Sequence, residues 1–129
     1  MKLKISLISI SAFLLLSVNT GCQKNDPKKA EFLANQAMNS LTNKNPQQAE
    51  SLQREAIEND PSDKHKLALG MILASEGKAA DARSLFKELS ASKDPTIARN
   101  SNSMLQGNKI EEIADLYKKI LLSNKTPRL

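Results

Sequence analysis

The stretch LALGMILASEGKAADARSLFKELSASKDP, residues 67–95, decides how the chain is read. Two amphipathic segments lie on either side of Gly77, with Leu69 and Leu73 at helical spacing in the first and Ala82, Phe86 and Leu89 in the second. Gly70 and Ala82 lack bulk where two antiparallel helices must approach closely. Leu69, Leu73, Phe86 and Leu89 are large enough to fill the contact. Gly77 is expected in the left-handed conformation that ends the first helix, because it carries no side chain to clash there. This unit is a packing module, and no residue in it brings reactive chemistry.

Upstream, Asp26-Pro27 and Asn45-Pro46 are helix starts: the polar side chain caps free amides, and proline fits the first turn without losing a needed donor. Ala30, Leu33, Ala34, Ala37, Met38 and Leu41 mark the apolar face of one helix, running to about Thr42. Ala49, Leu52, Ala56 and Ile57 mark the next, which Asn59-Asp60-Pro61 ends. Asp60-Pro61 and Asp94-Pro95 recur at a period of roughly 34 residues, and each is read as opening a further hairpin. Ala49 and Ala82 are one residue closer than that, so an extra residue is expected to lengthen the turn around Ser90–Lys93. Downstream, Ile97, Ala98, Met104 and Leu105 make a thin apolar face. Gly107-Asn108 breaks it, and Ile110, Ile113, Ala114, Tyr117, Ile120 and Leu121 form a clean stripe. A third, capping hairpin is the expectation, giving an all-α chain of about six helices and no strands.

Leu69, Gly70, Leu73, Gly77, Ala82 and Phe86 stand in the order and spacing used by the tetratricopeptide-repeat family, which this segment resembles. Leu33, Ala37, Ala49, Ala56, Ile57 and Pro61 extend the resemblance to an earlier unit, although Gln36 and Gln53 stand where larger apolar residues are usual. Over residues 30–95 the resemblance implies antiparallel helical hairpins stacked as a short solenoid. It also implies a concave groove, lined by the first helix of each pair, that takes a peptide. By alignment the lining residues are Glu31, Ala34, Met38, Leu41 and Thr42, then Lys64, Leu67, Met71, Ala74 and Ser75. Apart from the resemblance, Met38 and Met71 read equally well as fillers of irregular core gaps.

Residues 1–21 read as an export leader, with Lys2 and Lys4 before an apolar run from Ile5 to Val18 that is too short to span a bilayer. Asn19-Thr20-Gly21-Cys22 resembles the lipobox of bacterial lipoproteins, with Asn19 standing where an aliphatic residue is usual. That resemblance implies cleavage before Cys22 and lipidation of Cys22. Gln23, in place of the aspartate that retains such proteins in the inner membrane, implies an outer-membrane anchor facing the periplasm. The expected layout is a leader over 1–21, a lipidated start and short tether over 22–26, a helical domain over 27–122 and a fraying tail over 123–129.

The chain has 129 residues and a formal net charge of +5, part of which lies in the leader. The remaining charges alternate in sign along the helical segments, and aromatics are sparse, which argues against nucleic-acid binding. Cys22 is the only cysteine and His65 the only histidine, so no disulfide pairing and no multi-histidine metal site is possible within one chain. His65, between Lys64 and Lys66, is expected at the surface. No phosphate loop or nucleophile-elbow pattern is present, and the acidic residues lie along helix faces where carboxylates are usually solvated. The expectation is a non-enzymatic interaction module without metal or cofactor, a monomer or weak homo-oligomer that binds a peptide segment of an envelope protein. The alternative is a structural envelope lipoprotein that associates with itself.

Overall fold

The computed structural model describes residues 25–123. The leader, Cys22 and residues 124–129 lie outside the described residues. Six helices follow one another: α1 (Pro27–Thr42), α2 (Pro46–Asn59), α3 (Asp63–Ser75), α4 (Ala79–Leu89), α5 (Pro95–Met104) and α6 (Lys109–Ser123). Among the described residues there is no strand.

The helix starts follow from short polar caps. Asp26 Oδ1 accepts from the Lys29 amide at 3.0 Å, Asn45 Oδ1 accepts from the Gln48 amide at 3.2 Å, and Asp94 Oδ1 accepts from the amides of Thr96 and Ile97. Asp60-Pro61 behaves differently from Asp94-Pro95. It forms an extended linker, and α3 begins after Ser62, which makes no side-chain capping bond. The linker before α5 runs over Ser90–Asp94 and is longer than the one before α3, as the spacing of the repeats predicts.

Both hairpin turns close in one way. The Gly77 amide donates to the Ala74 carbonyl and the Lys78 amide to the Leu73 carbonyl, with Gly77 left-handed at φ 81°. Lys44 repeats this at φ 64°, its amide donating to Leu41 and that of Asn45 to Ser40. The first turn thus puts a side-chain-bearing residue where the second has glycine, at a steric cost that the rest of the hairpin must offset.

The helices close on small residues. Ala30, Ala37, Ala49 and Ala56 are completely buried between α1 and α2, and Ile72 of α3 packs with Ala37 and Ala49, joining the second hairpin to the first. The largest cluster gathers Leu69, Leu73, Ala74, Ala82, Phe86 and Ile110. A Cβ placed on Gly70 would lie 2.8 Å from Cε1 and 2.9 Å from Cζ of Phe86, so the bare backbone of α3 is what lets the ring lie between α3 and α4.

The expected third hairpin does not form. α6 makes its main contacts with α3 and α4 and has no extended contact with α5. The physical reason is apolar area: α5 buries only Ser101 completely, whereas the ends of α3 and α4 offer the Leu73–Phe86 cluster, into which Ile110 inserts with Ile113 beside it. Gly107, left-handed at φ 60°, lies in the bend that redirects the chain. Farther along, Tyr117 Oη donates to the Leu41 carbonyl at 2.8 Å, so α6 reaches from the second hairpin to the end of α1.

The ring–glycine contact is testable by thermal and urea unfolding followed by circular dichroism. Phe86→Ala is expected to cost about 3–5 kcal/mol and Gly70→Ala about 1–3 kcal/mol. In a Phe86→Leu background the Gly70→Ala penalty should shrink, because the ring atoms it meets are gone. Strictly additive penalties would show that the two do not share the contact.

Candidate functional site

The residues that the repeat spacing assigns to a groove lie on α1 and α3, and the structure separates them by burial and by partner. Met38 and Met71 occupy corresponding places in the two helices and are 51% and 39% exposed. They do not fill the core. One turn farther on, Thr42 Oγ1 donates to the Met38 carbonyl and Ser75 Oγ to the Met71 carbonyl, each at 3.0 Å, so both hydroxyls are used locally by the helix.

At the other end of this face, Lys64 Nζ lies 2.9 Å from Glu31 Oε2 and ties α3 to α1. The lysine hydrogen bond and its charge hold the Glu31 carboxyl below its ordinary pKa. Leu67 is half-buried against the main cluster, Leu41 is half-buried against Ala37 and Ile72, and Ala34 packs beside Ala30 and Leu33. Ala74 departs from the expectation. It is completely buried in the cluster that includes Ile110, so it belongs to the contact with α6 and not to an open groove.

His65 also departs from it. Only 2% of the residue is exposed, and its Nε2 lies 3.4 Å from Asp60 Oδ2. The signal was present in the spacing: His65, Leu69 and Ile72 form one stripe of α3, and the lysines on either side of His65 point elsewhere. Gln53, fully buried on α2, donates through Nε2 to the His65 carbonyl at 2.9 Å, while its Oε1 has no hydrogen-bond partner. A polar side chain at a core position of the hairpin is thus explained by a backbone carbonyl of the next one.

Beneath the turns lies a charged cluster that sequence reasoning missed. Glu50 of α2 takes Lys78 Nζ at 2.5 Å and Arg54 Nη2 at 2.7 Å. Glu76, in the turn, has a side chain only 2% exposed; Lys78 Nζ lies 3.1 Å from its Oε2, yet neither carboxylate oxygen has a donor in hydrogen-bonding geometry. The hydrogen bond from Lys78 draws the Glu50 pKa down to about 2 against the opposing effect of burial. For Glu76, burial comes first and pushes the pKa up, helped by the adjacent Glu50 and opposed by Lys78. Burial likewise raises the Tyr117 phenol, with Glu76 adding to it. Glu50 and Lys78 are far apart in sequence, so no local pattern announces the pair.

A cleft of about 350 Å³ opens between the two turns and α6, bordered by Pro46, Glu76, Gly77, Tyr117 and Leu121. A second, of about 340 Å³, has an apolar floor of Ile57, Leu69 and Leu85 between α2, α3 and α4. Among the described residues no group of three or more His, Cys, Asp or Glu is placed to hold a metal ion, and no helix is long and apolar enough to cross a membrane.

With this geometry in hand, comparison with protein-family models, curated proteins and solved structures returns no match.

The partly buried carboxyls of Glu50 and Glu76 give the protein a defined pH response. The folded Glu76 pKa lies above its ordinary value of 4.5, so the group favours the folded state below that value and opposes it once pH rises through the folded pKa. Glu50 has the opposite sign: its contribution is present above 4.5 and is lost as pH falls toward about 2. Glu76→Gln should therefore raise the melting temperature at pH 7, with the gain disappearing below pH of about 4. Glu50→Gln should lower it at pH 7, by a margin that narrows on acidification. A lower melting temperature for Glu76→Gln at pH 7 would mean that the attraction of Lys78 outweighs the cost of burial.

Proposed function

We propose that this chain is a lipid-anchored helical adaptor of the tetratricopeptide type, placed on the periplasmic side of the outer membrane, and that it binds an apolar peptide segment of an envelope partner. The observation that carries the reading is the paired exposure of Met38 and Met71 at corresponding positions of α1 and α3. Two unbranched, polarizable side chains held in register on adjacent units are suited to an apolar ligand whose shape they can follow. The Glu31–Lys64 pair at one end of the same face and the half-buried Leu41 and Leu67 between helices supply polar and apolar flanks.

The work assigned to the protein is recognition without chemistry. The partly buried Glu50 and Glu76 carboxyls are engaged with Lys78 and Arg54 and join α2 to the α3–α4 turn, a bracing role. In this reading Cys22 carries the lipid, and the short segment up to Asp26 holds α1 close to the membrane. More than one acyl chain makes such anchoring stable.

Two experiments test the two halves separately. Met71→Glu puts a charge on an exposed side chain, so the fold should keep its melting temperature, while recovery of the partner from envelope extracts should be lost because an apolar contact would have to bury that charge. Unchanged recovery would move the partner to another face, and a large drop in stability would mean that Met71 supports the core. For the anchor, Cys22→Ser made in the native host should leave the membrane fraction for the soluble one. Continued membrane association would exclude lipidation as its cause.

A further inference from the structure

α6 buries one side of its apolar stripe and leaves the other uncovered. Ile110 inserts into the core and Ile113 packs beside it, but Leu116 is 60% exposed and Ile120 is 45% exposed. These two side chains are one helical turn apart and share an outward strip that no other described element covers. Beside that strip stand two charged residues, Glu112 one turn before Leu116 and Lys119 one turn after it, both exposed. Among the described residues neither has an ion-pair partner, whereas α6 uses Glu111, on a different side of the helix, to bind Arg83 of α4.

The arrangement is self-complementary. On a helix advancing about 100° and 1.5 Å per residue, Glu112 and Lys119 lie on the same flank of Leu116, about 6 Å before it and about 4.5 Å after it. On the opposite flank, at matching distances, lie Ile120, exposed, and Ile113, half-buried with its inner side on the core. A two-fold axis passing beside Leu116 and perpendicular to α6 lays a second α6 antiparallel on the first. That operation keeps each flank on its own side while reversing direction, so Glu112 of one copy meets Lys119 of the other twice over, and the isoleucine flanks meet as well. A parallel pairing would instead set the charged flank of one copy against the apolar flank of the other.

We propose that the outward face of α6 is a homodimer interface, formed with a second copy of this chain around Leu116 and closed by reciprocal Glu112–Lys119 pairs. The inference depends neither on the lipid anchor nor on the α1–α3 face. An apolar strip alone would suit any greasy surface; the spacing of one acidic and one basic residue about Leu116 is what selects a second copy. It also gives an anionic lipid surface no net attraction, since the flank sets Glu112 and Asp115 against Lys119. One helix pair buries little area, so the dimer is weak and concentration-dependent.

The test is sedimentation equilibrium of the full chain in density-matched non-ionic detergent, over a concentration series reaching the millimolar range. The mass should rise from one chain to two, and Leu116→Glu should hold it at one chain with the melting temperature unchanged. Glu112→Lys and Lys119→Glu should each weaken association by about tenfold, because both pairs of the dimer become repulsive, while the combined charge exchange should restore it. The exchange arm does not rely on Leu116, so it remains decisive if Leu116→Glu misfolds. A single-chain mass throughout overturns the proposal. So does a dimer indifferent to Leu116→Glu, Glu112→Lys and Lys119→Glu taken singly, or binding to phosphatidylglycerol vesicles that Leu116→Glu abolishes while the mass stays at one chain.

Discussion

The structure depends on how closely Phe86 approaches the backbone of α3 at Gly70. Any side chain at that position would overlap the ring, so the absence of one sets the distance between α3 and α4. With the ring seated there, Leu69, Leu73 and Ala82 close around it and the second hairpin acquires an apolar end. That end is what captures Ile110, and through Ile110 the whole of α6. The first hairpin is built on a different economy of space, its alanines allowing α1 and α2 to meet with little side-chain volume between them, and it leans on the second through Ile72. A seam of alanines with Leu33 as its one buried large aliphatic side chain offers modest apolar area, so its stability is tied to the neighbour that inserts a larger side chain.

The path of α6 gives the described region its cohesion. By packing on α3 and α4 and reaching Leu41 with Tyr117, it connects helices from both hairpins near their turns. The charged cluster of Glu50, Glu76 and Lys78 lies at those same turns. A carboxyl as shielded as Glu76 costs free energy when ionised; Glu50 adds to that cost, and Lys78 reduces it without removing it. A polar network of this kind holds α2 to the α3–α4 turn in one arrangement while making the turns sensitive to acid.

Two of the surfaces left open after the core is closed differ in character. The α1–α3 face presents two methionines with a Glu–Lys pair at one end, and its apolar part is soft and discontinuous. The α6 face presents branched aliphatic side chains in a helical row with unpaired charges of opposite sign along one flank. The first suits a ligand of variable shape, the second a partner of fixed geometry. Because α6 is itself held by the second hairpin, the geometry of its outer face is inherited from the core contact at Gly70.

Much of the local structure could be read from the chain alone. Asp26, Asn45 and Asp94 mark helix starts through bonds that reach no farther than the next turn, and Gly77 marks a helix end through its own backbone freedom, so short-range patterns suffice. The burial of Phe86 and the closeness of Gly70 also followed, because both belong to one hairpin with a short connection. Reading failed where the deciding partner is remote. Gln53 finds its partner in the His65 carbonyl of the next hairpin, Glu50 meets Lys78 beneath a turn, and Ala74 is covered by a helix that arrives much later in the chain. The amphipathic stripe of α6 was plain in the sequence, but a stripe states only that a face will be buried. Which surface buries it was decided by where the largest uncovered apolar area remained once α3 and α4 had packed, and that quantity exists only in the tertiary structure.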